Sequence, residues 1–266
     1  MPKRDVRSRS PIGQARLDRF SVSGPKTSLL SVPGAVGAEA AGFTPVGDVM
    51  GSVVHQTGWA GPGTWAADQI KLLAELLYRG YATALDRLEE EATALGADGV
   101  LGIEFTITSL DDVAQEFVAL GTAVRAATDR RPRRPFTTFL PGQDVGKLMQ
   151  AGWVPVRVAV GVAGQAMFDK YHRPSQTRAW AGNFEVDMPT KLVTDVRAAA
   201  RAEFAREIGD CGADGGIVSD MNVQAWPVHD YAVAGIATVI GTAIARFHEG
   251  RTAPTSALKI LPLNRF

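Results

Sequence analysis

The chain has 266 residues, in which 28 lysines and arginines balance 28 aspartates and glutamates. Hydrophobic residues make up 45% and charged residues 21% of the sequence, a composition typical of globular proteins and unlike that of disordered or collagen-like chains. The balanced charge argues against a protein dominated by electrostatic binding to nucleic acid or membranes. The single cysteine, Cys211, excludes an intramolecular disulfide framework and a zinc site with several thiolates.

The N-terminal segment, residues 1–28, is predicted to be a disordered basic tail. It holds seven basic and two acidic residues separated by Ser, Pro and Gly, a composition that cannot form a core. Such a tail either binds an acidic partner or is simply a solvated terminus. No segment has the pattern of a signal peptide or the roughly 18 uncharged apolar residues of a spanning helix. We therefore expect a cytoplasmic protein without transmembrane segments, and we do not expect it to bind nucleic acid.

The sequence also repeats itself. The matched segments, in chain order, are 30–53 with 140–163 at a shift of 110, GADG at 96–99 with 212–215 at a shift of 116, and GTA at 121–123 with 241–243 at a shift of 120. Two prolines and four arginines stand between the two repeats, in DRRPRRP. The pattern predicts a duplication with domains at 29–127 and 136–248, an extended solvated linker at 128–135, and a C-terminal tail at 249–266.

Four elements are predicted in the first domain. Residues 45–54 are rich in valine, which favours a strand. Residues 68–95 place apolar side chains every three or four positions, as in an amphipathic helix, and Gly96 stands where a C-terminal cap is expected. Residues 99–109 alternate apolar and polar side chains and predict a second strand, and residues 116–125 predict a third.

The second domain repeats this order, with a strand at 153–162, a helix at 190–209, and strands at 217–225 and 231–245. We therefore expect an α+β protein of two tandem β-α-β-β domains, each with two layers. The last strand is apolar on both faces, and one helix covers only one of them. The second cover must come from the sister domain or from other subunits. We expect four side chains of this strand to form an interface between subunits of a symmetric ring or barrel; they are Val233, Ile236, Val239 and Ile240.

Four motifs carry a resemblance to a known family: FTPVG at 43–47, LEEEA at 88–92, GADGVLG at 96–102 and GTAV at 121–124. Together they resemble the YbjQ-like family, described as putative heavy-metal-binding proteins. The resemblance covers residues 43–125 and, more loosely, residues 153–245. It implies a dodecin-like β-α-β-β subunit packed into ring-shaped homo-oligomers, commonly pentamers, with a shared β-barrel. It supplies no catalytic residues.

The candidate soft-metal ligands are few and scattered. The histidines and the cysteine show no CxxC, HxH or HExxH spacing. Because closed metal sites need clustered ligands, unrelated structural roles are the simpler interpretation of these residues. Symmetry could still gather His55 or His229 from several chains, so a metal ion held between subunits is an alternative. No other cofactor is indicated. The repeated carboxylates Asp98 and Asp214 fit turn acids that bind backbone amides better than an acid–base pair.

Two aromatic loops are the candidate sites for a ligand or partner. The first, GWAGPGTW at 58–65, precedes a helix but lacks a phosphate-binding signature, so an aromatic lining or an interface anchor is favoured. The second lies at 164–189. The candidate residues in the two loops are Trp59, Trp65, Tyr171, His172, Arg173 and Trp180.

No GxSxG motif or other nucleophile–base arrangement is visible in the sequence, which favours a non-enzymatic protein. The sequence therefore predicts a ring-forming assembly or scaffold protein that presents aromatic loops to a partner or ligand. One alternative is a heavy-metal or small-molecule binding protein with sites between subunits. Another is an enzyme without a recognisable motif.

Overall fold

The computed structural model describes residues 27–56, 67–111, 114–129, 131–168, 186–229 and 231–247. The helices in these ranges are α1 (Val32–Ala40), α2 (Ala67–Ala94), α3 (Gly142–Gln150) and α4 (Asp187–Asp210). The strands are β1 (Phe43–Gln56), β2 (Gly99–Ser109), β3 (Ala114–Ala126), β4 (Phe136–Thr137), β5 (Trp153–Phe168), β6 (Gly215–His229) and β7 (Ala232–Arg246). The expected α+β class is confirmed.

The strands form two sheets with matching connectivity. Sheet A has the order β1-β3-β2-β4, and sheet B has the order β5-β7-β6. In both, the strand that follows the long helix forms an antiparallel hairpin with the next strand, which also pairs with the first strand. The first half (α1 to β3) and the second half (α3 to β7) therefore have the same element order, short helix, strand, long helix, strand, strand.

The long helices end as their sequences predict. Gly96 and Gly212 adopt φ values of +66° and +71°, the left-handed conformation that glycine accepts without steric cost. After each glycine the backbone N–H of Ala97 or Ala213 donates to a carbonyl five residues earlier, at Ala92 or Ile208. The predicted caps are thus present in both halves.

Three elements were not predicted from the sequence. They are the short helices α1 and α3, and the two-residue strand β4, which pairs in parallel with β2 at Gly99 and Val100. The glycine-rich sequence of α1 has no strong helical periodicity. Its N-terminus is instead set by Ser31, whose side chain accepts a hydrogen bond from the backbone N–H of Gly34 at 3.2 Å.

The layers follow the order sheet A, α2, sheet B, α4. One core includes α2 with the facing side chains of both sheets, and a second core joins α4 to the other face of sheet B. In the second core, α4 covers Val233 and Val239 on one face of β7. In the first core, α2 covers Ile236 and Ile240 on the other face of the same strand. All four residues are less than 8% exposed in one chain. This corrects their expected role, because α2 of the same chain, not another subunit, covers the second face of β7.

The segment between the halves is exposed in part but anchored. Arg131 forms an ion pair with the buried Asp98. Arg134 donates from Nε to Glu89 Oε2 at 2.6 Å and also contacts Asp86. The predicted solvated linker is therefore attached to the first half through its arginines.

The described chain begins on sheet A. Thr27 donates a hydrogen bond to the carboxylate of Asp48, and the backbone N–H of Leu29 donates to Thr122 Oγ1 at 2.9 Å. Residues 27 and 28, which the sequence placed in a disordered tail, are thus in contact with the sheet. Residues 1–26 of the predicted tail, and the C-terminal tail from residue 248, lie outside the described residues.

Candidate functional site at the junction between the halves

The contacts inside each half repeat position by position. Gly51 of β1 lies so close to α2 that a Cβ atom there would come within 1.9 Å of the Ala84 carbonyl oxygen. Gly161 of β5 has the same relation to Ala200 of α4, at 2.2 Å. These pairs are related by the shifts of 110 and 116 found in the sequence. Each helix therefore sits on its own sheet in the same way.

Edge strands are capped in the same manner in both halves. The Glu91 carboxylate on α2 accepts a hydrogen bond from the backbone N–H of Met50, and Glu207 on α4 accepts one from Val160 N–H at 2.7 Å. Each glutamate thus satisfies a donor on the outer edge of β1 or β5, which would otherwise be open to pairing. Both glutamates lie five positions before the GADG motif of their half. Sequence reasoning missed them because each belongs to a helix face read as solvated.

The repeated carboxylates Asp98 and Asp214 are structural. Asp98 Oδ2 accepts from the N–H of Ala126 at 2.8 Å, and Asp214 Oδ2 accepts from the N–H of Arg246 at the same distance. Both therefore bind the backbone at the end of the last strand in their half. The interpretation of these residues as turn acids agrees with this geometry.

The junction between the halves is formed by the second face of sheet B and the far side of α2. A Cβ atom on Gly164 would come within 2.7 Å of the Ile70 carbonyl and 3.3 Å of the Ala74 Cβ. Val160, at 2% exposure, and Ile240 belong to the same core as α2. The junction is therefore a closely packed apolar contact, like those inside protein cores.

Charged side chains border this contact. Arg157 on β5 donates to Glu89 Oε1 at 3.0 Å and to Asp86 Oδ1 at 2.9 Å on α2. Although burial lowers the pKa of Arg157, the carboxylates of Glu89 and Asp86 raise it above its usual value. The guanidinium stays charged, and the ion pair joins one half to the other.

A cleft of about 180 Å³ lies beside this ion pair, and its lining includes Tyr78, Arg134 and Glu207. Burial raises the pKa of Glu207, although the Val160 N–H and Arg157 act in the opposite direction. Burial and then the nearby Glu207 raise the pKa of Tyr78. The cleft is lined by both acidic and basic side chains. Its two arginines, Arg134 and Arg157, already form ion pairs with carboxylates of the first half.

One face of sheet A is equivalent to the face of sheet B that α2 covers. Among the described residues, no long helix packs on that face of sheet A. Val49, Gly51 and Val53 face α2, so the alternate positions of β1 face away from it. On this outer face, strand pairing places Met50 beside Leu120 and Ser52 beside Val118. Val54 at the end of the row is 53% exposed. We call this surface the open face, defined by its apolar members Met50, Val54, Val118 and Leu120.

The predicted aromatic-loop residues cannot be placed. Trp59, Trp65, Tyr171, His172, Arg173 and Trp180 lie outside the described residues, as does the side chain of His229. His55 lies at the end of β1 with its ring edge-on to Phe117, at a centroid distance of 6.2 Å. Its Nε2 atom and the Oε1 atom of Gln115, its cross-strand partner, are buried and have no hydrogen-bond partner in the described part of the chain.

In the described ranges, no three of the His, Cys, Asp and Glu side chains come together as a metal site. The metal site between subunits stays a prediction. No helix in the same ranges is both long and apolar enough to cross a membrane. Cys211 lies at the end of α4, where it is half-buried and donates to the Ile208 carbonyl.

Comparison with known proteins includes a match over most of the chain. Encapsulin nanocompartment protein Rv1762c of Mycobacterium tuberculosis is 29% identical over 271 residues, which covers 97% of this chain and 98% of that protein. The match therefore extends over both halves.

Other matches concern a single half. The family model YbjQ_1, described as "Putative heavy-metal-binding", matches residues 31–127. A UPF0145 protein of Vibrio campbellii is 33% identical over 95 residues, which are 36% of this chain and 91% of that protein. A UPF0145 protein of Thermotoga maritima is 33% identical over 99 residues, 37% of this chain and 93% of that protein. These relatives are matched almost over their whole length, and the resemblance seen in the sequence motifs is confirmed: this chain belongs to the YbjQ-like, UPF0145 family.

Proposed function

We propose that this protein is a non-enzymatic assembly protein that binds further copies of its own chain, head to tail, into a closed ring. In this proposal its two halves are tandem domains derived by duplication, joined by the segment around residues 128–135. The single observation that carries the proposal is that the equivalent faces of sheet A and sheet B differ in what covers them. Sheet B has its second face covered by α2 of the other half, whereas no described helix of the same chain covers the equivalent open face of sheet A.

The proposed partner of the open face is α4 of a second chain. Within one chain, the residues of α2 that face sheet B include Ile70, Ala74 and Asp86. The shift of 116 relates them to position 186, the N-cap of α4, and to positions 190 and 202 on α4. The outward positions of α4 include the small exposed residues Ala198, Ala202 and Ala205. Small side chains allow a helix to approach a sheet closely, so α4 can occupy on sheet A the place that α2 occupies on sheet B.

The ion pair of the junction has no counterpart in this proposed contact. Gly47 stands at the position equivalent to Arg157, and Ala205 stands at that of Glu89. Both members of the pair are replaced together by small residues, so neither leaves an unpaired buried charge. The contact between chains would therefore depend on apolar burial, at about 25 cal/mol per Å² of apolar surface removed from water.

A repeating head-to-tail contact gives a ring when its rotation closes and a filament when it does not. Each chain contributes two halves, so any closed ring of whole chains holds an even number of halves. The pentamer implied by the family resemblance would hold ten. The name of the M. tuberculosis relative, a nanocompartment protein matched over both halves, supports a role in assembly.

Light scattering on the full chain tests the proposal. We expect the mass of the wild type at micromolar concentration to be a whole-number multiple, at least twofold, of the 28.3 kDa of one chain. Leu120→Glu, on the open face, should weaken association by roughly 100- to 4,000-fold, because burying one unpaired charge costs about 3–5 kcal/mol. Leu110→Glu is the matched control, since Leu110 is exposed in a turn away from the open face.

A wild-type chain that stays at 28.3 kDa would refute assembly. An unchanged mass for Leu120→Glu would show that the open face is not the contact. Loss of the oligomer in Leu110→Glu as well would mean that added charge, and not the contact, is responsible.

A further inference from the structure

The segment before α3 makes two sets of contacts at once, and only one set is made by the segment before α1. We call residues 136–141 the connecting segment and residues 27–31 the leading segment; the shift of 110 relates residues 27–31 to residues 137–141. Both bind their own sheet in the same way. Phe139 N–H donates to Thr242 Oγ1 at 3.2 Å, as Leu29 N–H donates to Thr122 Oγ1 at 2.9 Å.

The connecting segment also adds a parallel strand to the edge of β2. Thr138 N–H donates to the Val100 carbonyl at 3.0 Å, Ile103 N–H donates to the Thr138 carbonyl at 3.0 Å, and Gly102 N–H donates to the Leu140 carbonyl at 3.1 Å. Phe139 packs its ring 5.8 Å from that of Phe105 on β2. This edge contact binds the start of the second half to the first half.

The leading segment carries the same backbone groups, but they are unused in the described part of the chain. The N–H and carbonyl of Ser28 and the carbonyl of Leu30 have no backbone partner there. Leu29, which stands at the position of Phe139, is 56% exposed. One side of the segment is therefore bonded to sheet A and the other side offers a strand edge and an apolar side chain.

The complementary edge is open on β6. In sheet B, β6 pairs only with β7 among the described strands, so the outer backbone groups of Gly216–Ser219 have no strand partner in the described part of the chain. The positions equivalent to Val100, Gly102 and Ile103 are Gly216, Val218 and Ser219. A Cβ atom on Gly99 would come within 2.2 Å of the Phe136 ring, whereas one on Gly215 would meet only Ile244, at 3.9 Å. No described residue therefore fills, beside β6, the space that β4 fills beside β2.

Resting on the proposed self-assembly, we infer that the leading segment of one chain adds a parallel strand to the β6 edge of the next chain, at Gly216–Ser219. In this arrangement the Ser28 N–H donates to the Gly216 carbonyl, and the Ser28 carbonyl accepts from the Ser219 N–H. The Leu30 carbonyl accepts from the Val218 N–H. Leu29 packs on Met221, which stands at the position of Phe105. Main-chain hydrogen bonds provide the affinity in such strand additions, and the alternate side chains provide the specificity.

The chain offers one competing occupant of this edge. Its C-terminal sequence ALKILP at 257–262 is similar to FTTFLP at 136–141. That segment follows the second half at nearly the distance at which the connecting segment follows the first. We assign the edge to the leading segment because the hydrogen bonds of that segment to its own sheet already match those of the connecting segment.

Crosslinking of the full chain tests this assignment. In a Cys211→Ser background, Ser28→Cys and Val218→Cys are combined, and the protein is treated with a short bis-maleimide. Both side chains are exposed, and in one chain they lie on different sheets with α2 between them. We expect a ladder of linked chains on a denaturing gel for the double variant and no ladder for either single variant. In a second variant, deletion of residues 1–28 should leave the melting temperature within a few degrees and abolish the oligomer.

The outcomes separate the two proposals. An oligomer that gives no ladder, and that survives the deletion, overturns strand addition while leaving assembly intact. A linkage within one chain between Val218→Cys and Lys259→Cys would show that the C-terminal segment fills the edge, and would also overturn it. A monomeric wild type refutes assembly itself.

Discussion

The two sheets present the same face to different surroundings, and their side chains differ accordingly. On sheet B, Val160 and Ile240 are buried under α2. On sheet A the equivalent residues, Met50 and Leu120, are only half-buried. Ile236 of the covered face is replaced by Glu116 on the open one. The comparison teaches that a strand's own pattern shows which faces can be buried, and that the neighbour decides which of them is buried within the chain.

The largest effect is expected from one substitution made at equivalent positions on the two faces. Ile240→Glu should destabilise the folded chain by about 3–5 kcal/mol, because it places an unpaired charge in the core shared with α2. That is a large share of a typical stability of about 5–15 kcal/mol. Leu120→Glu should change the stability of the single chain by less than about 1 kcal/mol, since the open face is partly solvated. Urea unfolding of both variants at low protein concentration measures the difference.

Equal losses of stability in the two variants would contradict the comparison. They would mean that Leu120 is covered within one chain. The same reasoning applies to Ile236, which the sequence analysis placed in an interface between subunits. Because Ile236 packs against α2 of its own chain, Ile236→Asp should unfold the chain rather than only dissociate an oligomer.

Much of the fold followed from the sequence because the repeat and the helical periodicity are strong local signals. The long helices were predicted to within three residues at each end, as 68–95 and 190–209 against Ala67–Ala94 and Asp187–Asp210. Two strands have the predicted length, Gly99–Ser109 and Ala232–Arg246, but the others are longer than predicted. For example, β5, predicted as ten residues, has sixteen, Trp153–Phe168. Its last residues lack branched side chains, and its length is set by pairing with β7 and not by its own propensity.

The junction could not be predicted, because it depends on packing between segments far apart in the chain. The pairing of Arg157 with Glu89 joins residues 68 positions apart, and nothing in the local sequence of either residue indicates the other. The sequence argument correctly required a cover for both faces of β7. It named the sister domain or other subunits as the source of the second cover, and favoured other subunits. Periodicity shows only one apolar stripe on α2 and does not show that both flanks of this helix pack on sheets.

A loss of stability of intermediate size is expected where the two halves are alike, at the glycines on which each long helix packs. Gly51→Ala and Gly161→Ala should each destabilise the protein by about 1–3 kcal/mol, because the new Cβ atoms would overlap carbonyl oxygens of the covering helix. Gly209→Ala on α4 is the control, since no atom lies within 4 Å of the added Cβ, and alanine should stabilise the helix by about 0.5–1 kcal/mol. Thermal unfolding of the three variants gives the comparison. A loss in only one of the first two would mean that the helices sit differently on their sheets.

The smallest expected effect concerns the edge cap of the second half. Burial raises the pKa of Glu207 above its usual value of 4.5, so the folded chain binds a proton more readily than the unfolded chain. The contribution of this group to stability therefore falls as the pH rises from about 4.5 through the folded pKa, and is constant above it. Glu207→Gln keeps an oxygen that can accept from Val160 N–H but removes the titration. We expect the variant to match the wild type below pH 4.5 and to be slightly more stable at pH 7. Urea unfolding across this range checks the sign. A variant that is less stable at pH 7 would show that attraction to Arg157 outweighs the cost of burying the carboxylate.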